Sequence, residues 1–76
     1  MTLCDLKINQ TAKIKTINHS HDIKRRLYDL GFVNGTLIKS LLKSPSNNIK
    51  AYYIRDSLIA IRNSDAKKIE VDVVNE

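Results

Sequence analysis

The sequence predicts an all-β (mainly β) fold: a small closed barrel of about five short strands, with one short α-helix inserted after the first strand. Two patterns and one size limit predict it. Apolar residues recur with a period of two over much of the chain, as where Ile69, Val71 and Val73 alternate with Glu70 and Asp72. A single segment, Ile23 to Leu30, switches to helical spacing. A chain of 76 residues is too short for two full packed sheets, so closing the strands on themselves removes edges and buries the most per residue.

Asn9-Gln10 is the turn that starts the first strand, in which Ala12, Ile14 and Thr16 alternate with Lys13, Lys15 and Ile17. His19-Ser20-His21-Asp22 breaks that pattern, and Ser20 or Asp22 is placed to cap a helix. Ile23, Leu27 and Leu30 then fall at i, i+4 and i+7, one face of a helix, while Lys24, Arg25 and Asp29 point elsewhere. Gly31 sits where a helix C-terminus needs positive φ, and Asn34-Gly35 is a turn dipeptide. These are the only two glycines in the chain, so both read as backbone requirements.

Thr36 to Lys43 reads as a strand, though Leu37-Ile38 and Leu41-Leu42 leave its inward face undecided. Residues 44–48, Ser-Pro-Ser-Asn-Asn, form a loop. Ile49 to Arg55 and Ser57 to Arg62 are expected as two strands joined in a tight hairpin at Asp56-Ser57, where Asp56 tolerates the left-handed region. Asn63-Ser64-Asp65 is a turn capping one helical turn through Lys68, and Ile69 to Val73 is the last strand. This order commits the chain to an SH3-like barrel, one domain over residues 1–76.

A core of this size leaves a net stability of only about 3–5 kcal/mol without further support. The single cysteine, Cys4, has no partner for an internal disulfide, which points to a reducing compartment, the cytoplasm. The N-terminal residues lack the basic and apolar runs of a signal peptide, and Leu58-Ile59-Ala60-Ile61 is the longest apolar segment, so membrane insertion is not expected. The net charge of +5 favours acidic partners. Most lysines stand singly, however, as solubilising and edge-guarding residues do.

Cys4, His19 and His21 are the candidate soft or borderline metal ligands, but their number and spacing fall short of a closed structural zinc site. An ordinary surface turn is the plainer reading, and no metal site or cofactor is assigned. Asp29, Asp56 and Asp65 form no pair placed for acid–base work, and no phosphate loop, dinucleotide loop or metalloprotease motif is present, so enzymatic activity is not expected. Arg25-Arg26-Leu27-Tyr28-Asp29 is either a ridge for phosphate or a partner, or simply a solvated helix face. Tyr52 and Tyr53 must point to opposite faces of their strand, one to the core and one outward. Leu58 to Ile61 is apolar on both faces, which in a tiny barrel means that the helix, a terminal segment or another protein covers the outer one.

Taken together, several motifs resemble the ferrous iron transport protein A (FeoA) family along nearly the whole chain. They are Leu3-x-x-Leu6, Ala12-x-Ile14, Arg26-Leu27-x-Asp29-Leu30-Gly31-x-x-x-Gly35-Thr36-x-Ile38, Pro45, Ala51-Tyr52-x-Ile54-Arg55, Ile59-Ala60-Ile61-Arg62 and Asp65-Ala66-x-x-Ile69-x-Val71. Asn9, Asn34 and Asp56 depart from the family's usual Gly, Pro and Gly, all at turns. The resemblance implies an SH3-like fold and a non-enzymatic accessory role in ferrous iron uptake. It also implies binding to the cytosolic G-protein domain of a membrane ferrous iron transporter. The contact surface is then expected on the helix and the turn after it, at Arg25, Arg26, Tyr28, Asp29, Leu30 and Gly31. Gly31, Gly35 and Asp56 are expected as structural turns, and weak self-association is compatible with the apolar strand. Alternatives are a nucleic-acid-binding SH3-like module, for which the +5 charge and Tyr52-Tyr53 speak, and a metal-sensing domain like the C-terminal part of iron-dependent repressors. No nucleic acid partner is expected.

Overall fold

Alternating apolar residues fold into one antiparallel sheet of five strands. In the computed structural model these are β1 (Thr11–Ile17), β2 (Leu37–Lys43), β3 (Ile49–Ile54), β4 (Ser57–Arg62) and β5 (Ile69–Val73). Helix α1 (His21–Asp29) follows β1, and a one-turn helix α2 (Asn63–Ala66) precedes β5. Residues 1–46 and 48–74 are described, so Asn47 of the predicted 44–48 loop lies outside them. The strand order is β4-β3-β2-β1-β5, a mostly β, SH3-like arrangement with one short inserted helix. β4 and β5 are not paired with each other among the described residues.

Two bulges bend the sheet. In β1, Ile14 pairs with Val71 and Thr16 with Glu70, so Lys15 is an extra residue. The bulge overturns the simple alternation expected for β1, because Thr16 is exposed and Ile17 takes the buried position. The Asn34 side-chain amide donates to the Lys15 carbonyl at 2.8 Å, giving the bulged backbone a partner. In β2, Ser40 pairs with Tyr52 and Leu42 with Ala51, leaving Leu41 over. That extra residue is why the Leu41-Leu42 pair fits no strict alternation.

The β3–β4 hairpin closes at Ile54 and Ser57. Its two turn residues are therefore Arg55 and Asp56, with φ of 49° and 63°, and not Asp56-Ser57. The expected boundary is one residue late because an arginine with positive φ gives no signal, whereas this class of two-residue turn needs positive φ at both positions. Asn9 also has positive φ, 71°. The helical turn before β5 begins at Asn63 itself, with Arg62 at its cap, so Asn63-Ser64-Asp65 lie inside it.

The core joins Ala12, Ile14, Ile38, Tyr52, Ile54 and Val71 from the sheet to Phe32 and to Leu3 and Leu6. The last two are delivered by a 3-10 turn at Leu3–Asp5 that the strand pattern does not announce. The Asp5 carboxylate closes this turn by accepting from the Thr2 backbone N–H at 3.0 Å and the Thr2 hydroxyl at 3.1 Å. These bonds hold the Asp5 carboxyl below its ordinary value. Lys50 Nζ donates to the Cys4 carbonyl at 2.8 Å and the Leu6 carbonyl at 3.2 Å. One of the basic residues is thus turned inward to hold a carbonyl-rich turn over the core.

Candidate partner-binding surface

Ser20 occupies the N-cap position of α1 but makes no side-chain bond there. The helix carries Ile23, Leu27 and Leu30 on one face, yet no residue of α1 is buried. Leu27 packs against the core, while Ile23 and Leu30 remain 42% and 45% exposed. The expected inward face is therefore only half used. It forms one wall of a groove of about 290 Å³ whose opposite wall is β4, from Ile59 to Arg62, with Asp65 and Ile69 below.

At the end of α1, Leu30 is the C-cap and Gly31 takes φ of 103°, so the chain turns sharply into Phe32. A Cβ at Gly31 would overlap Arg55 Cδ, so the hairpin side chain lies directly on the end of the helix. Gly35 has φ of 91° and open space around it, so it answers a backbone need alone.

The residues expected at the contact surface divide into groups. Arg26 and Leu30 face the groove. Tyr28 instead lies on the β1 side, near Lys15, Thr16 and Asn34, with Lys24 Nζ 5.9 Å from its ring centroid. Arg25 and Asp29 are exposed and border neither depression, and Gly31 is buried beneath Arg55. Asp56 is exposed and accepts a hydrogen bond from the Tyr53 hydroxyl at 2.9 Å, which pushes the Tyr53 phenol above its ordinary value. Tyr52, on the opposite face, is fully buried and donates to the Leu3 carbonyl at 3.4 Å. Burial raises its phenol pKa strongly.

Cys4, His19 and His21 part ways. Cys4 packs half-buried against the core, and His21 is exposed at the start of α1. The His19 side chain is 1% exposed, with Nε2 3.9 Å from Asp65 Oδ1 and no hydrogen bond at either ring nitrogen. Among the described residues, no three His, Cys, Asp or Glu side chains gather as a metal-binding group. Sequence reasoning did not single out His19 or Arg62 as groove residues. The one legible signal was the two-sided apolarity of Leu58 to Ile61, which marks the strand they flank. Among the described residues no helix is long and apolar enough to cross a membrane.

Comparison with known proteins agrees with this fold. The chain is 32% identical over 74 residues, 97% of its length and all of the relative's, to a Fe(2+) transport protein A of Campylobacter jejuni. It is 29% identical over 75 residues, 99% of its length, to part of a Fe(2+) transport protein A/Fe(2+) transporter FeoB fusion protein of Porphyromonas gingivalis, of which it spans 9%. The crystal structure of Stenotrophomonas maltophilia FeoA, an SH3 domain protein solved with zinc, superposes with a TM-score of 0.83 at 33% identity. That superposition covers 95% of this chain and 89% of the other. The FeoA domain model matches residues 1–73, spanning the motifs read from the sequence together with the barrel they build, and the chain belongs to the FeoA domain family.

Proposed function

We propose that this chain is a non-enzymatic, cytoplasmic accessory protein of ferrous iron uptake. It binds the cytosolic G-protein domain of a membrane ferrous iron transporter and supports or regulates transport. The observation that carries the reading is the Porphyromonas gingivalis fusion, in which a stretch similar to this chain shares one polypeptide with a ferrous iron transporter. A separate chain that acts on the same transporter must reach it by a surface. The face of α1 that borders the groove, at Arg26 and Leu30, and the exposed residues Arg25, Tyr28 and Asp29 beside it supply apolar and charged groups for that purpose, while the buried Gly31 sets the turn that follows.

Leu30→Arg tests the surface. Leu30 is 45% exposed, so the barrel should stay folded by circular dichroism. Its affinity for the purified G-protein domain should fall by about tenfold or more, the loss of one well-packed apolar contact. Undiminished binding would reject this surface, and no binding by the unaltered protein would reject the proposed function itself.

A further inference from the structure

We infer that the groove between α1 and β4 receives an extended segment of the partner, which adds to β4 as a further antiparallel strand and brings an acidic side chain to Arg26 and Arg62. This rests on the reading that the chain binds a partner protein. It specifies the mode of contact and the chemistry of the segment.

β4 is one end of the sheet and pairs only with β3 among the described residues. The hairpin closes on the Ile54–Ser57 pair, which exchanges both backbone bonds, and alternation then assigns Ser57, Ile59 and Ile61 to the β3 ladder. The N–H and C=O groups of Leu58 and Ala60 point the other way, as does the N–H of Arg62, whose carbonyl instead starts α2 as its N-cap. The side-chain positions agree, because Ile59, Ala60, Ile61 and Arg62 all line the groove. Consecutive strand residues face opposite sides, so the groove meets the edge of β4 rather than either face.

The other end of the sheet is treated differently. Thr2 bridges to Glu70 on β5, and Val71 donates to the Met1 carbonyl at 2.9 Å, so the N-terminal residues cover that edge. Among the described residues β4 has no such strand-pairing cover, and it carries no lysine, proline or bulge, the usual guards of a free edge. Opposite it stands the helix stripe Ile23, Leu27 and Leu30. A strand edge facing an apolar helix stripe accepts an extended peptide, with main-chain bonds to the strand and side chains against the helix.

Charge sets the composition of that peptide. Arg26 and Arg62 flank the groove, and the buried His19 ring turns into it with both nitrogens free of hydrogen bonds. The one carboxylate there, Asp65, lies 3.9 Å from His19. Two guanidinium groups beside an apolar slot match a segment that alternates apolar and acidic residues. A second copy of this chain fits less well, since it carries the same +5 charge and the same arginines.

Amide hydrogen exchange of the full chain, alone and with the purified cytosolic G-protein domain of the transporter, tests the inference. In the complex the amides of Leu58, Ala60 and Arg62 should exchange at least about tenfold more slowly. Ala60→Pro removes an outward N–H without touching the β3 ladder, a substitution that edge strands tolerate, and should weaken binding about tenfold. Arg62→Glu should weaken it and flatten its salt dependence. Binding without protection of these amides would overturn strand addition while leaving the accessory role standing, and absence of binding would overturn both. Slowing of the same amides that grows with protein concentration, with no partner present, would assign the edge to a second copy and overturn the inference. Should Ala60→Pro fail to fold, exchange in the unaltered chain and Arg62→Glu decide.

Discussion

The side chain of Arg55 rests on the α-carbon of Gly31, so the tip of the β3–β4 hairpin is seated on the C-terminal end of α1. Two residues of unusual backbone conformation, φ of 103° at Gly31 and 49° at Arg55, meet where the helix returns to the barrel. The contact anchors a helix that has no buried residue of its own.

That contact separates the roles of the two glycines. Gly35→Ala should cost about 1–2 kcal/mol, the strain of an alanine at positive φ. Gly31→Ala should cost about 1–2 kcal/mol more, because the new methyl group must displace Arg55. In an Arg55→Ala background the excess should vanish while the strain remains. Urea unfolding of the four variants, read as a double-mutant cycle for Gly31 and Arg55, measures both parts.

Lys50 predicts a second outcome. Its ammonium satisfies the carbonyls of Cys4 and Leu6 over the core. Lys50→Met keeps the aliphatic length and removes both bonds, so stability should fall by about 1–3 kcal/mol. Proteolysis should open the N-terminal segment first, since Leu3 and Leu6 lose the clamp that seats them. Thermal unfolding with limited proteolysis checks both.

Asp5 gives a pH dependence with a definite sign. Its folded carboxyl is held below the ordinary value by the Thr2 N–H and hydroxyl, so the ionised form is the one that stabilises. The contribution is fully present above the unfolded carboxyl range, about pH 4, and is lost as pH falls through the folded value. Asp5→Asn should therefore cost about 0.5–1 kcal/mol at neutral pH, as lost caps do. The gap between variant and parent should close in acid, which denaturant titrations at several pH values would show.

Tyr53 and Asp56 form a reporter at the hairpin tip. The neutral phenol donates to the carboxylate, so ionising it breaks that bond and brings two negative charges together. Asp56→Asn should lower the Tyr53 phenol pKa, seen by ultraviolet titration or ring-carbon NMR. If Tyr53 titrates unchanged in the variant, the bond is not populated in solution.

Long, regular features were legible in the sequence. β5 announces itself by strict alternation, and Gly31 and Asn34-Gly35 mark the end of α1 through requirements that few residues meet. Bulges were not legible, because an extra residue such as Lys15 looks like any exposed strand position until its partner strand is known. Arg55 was missed for a related reason: the register of β3 against β4 forces its positive φ, and composition does not record register. The groove was half legible. Leu58 to Ile61 betrayed an uncovered strand that Arg62 ends, whereas His19, from the loop after β1, joins the groove only through the fold.

Lys15 and Leu41 make curvature adjustable by chain length. Removing either would keep every later residue of its strand on its present side, because each doubles a position its partner strand fills once. Removing any other residue of those strands would exchange interior for exterior. What the shortened chain would lose is the bend: a flatter ribbon, whose two end strands, β4 and β5, curl less toward each other. Roundness in this protein is thus written as two surplus residues rather than as a choice of side chains.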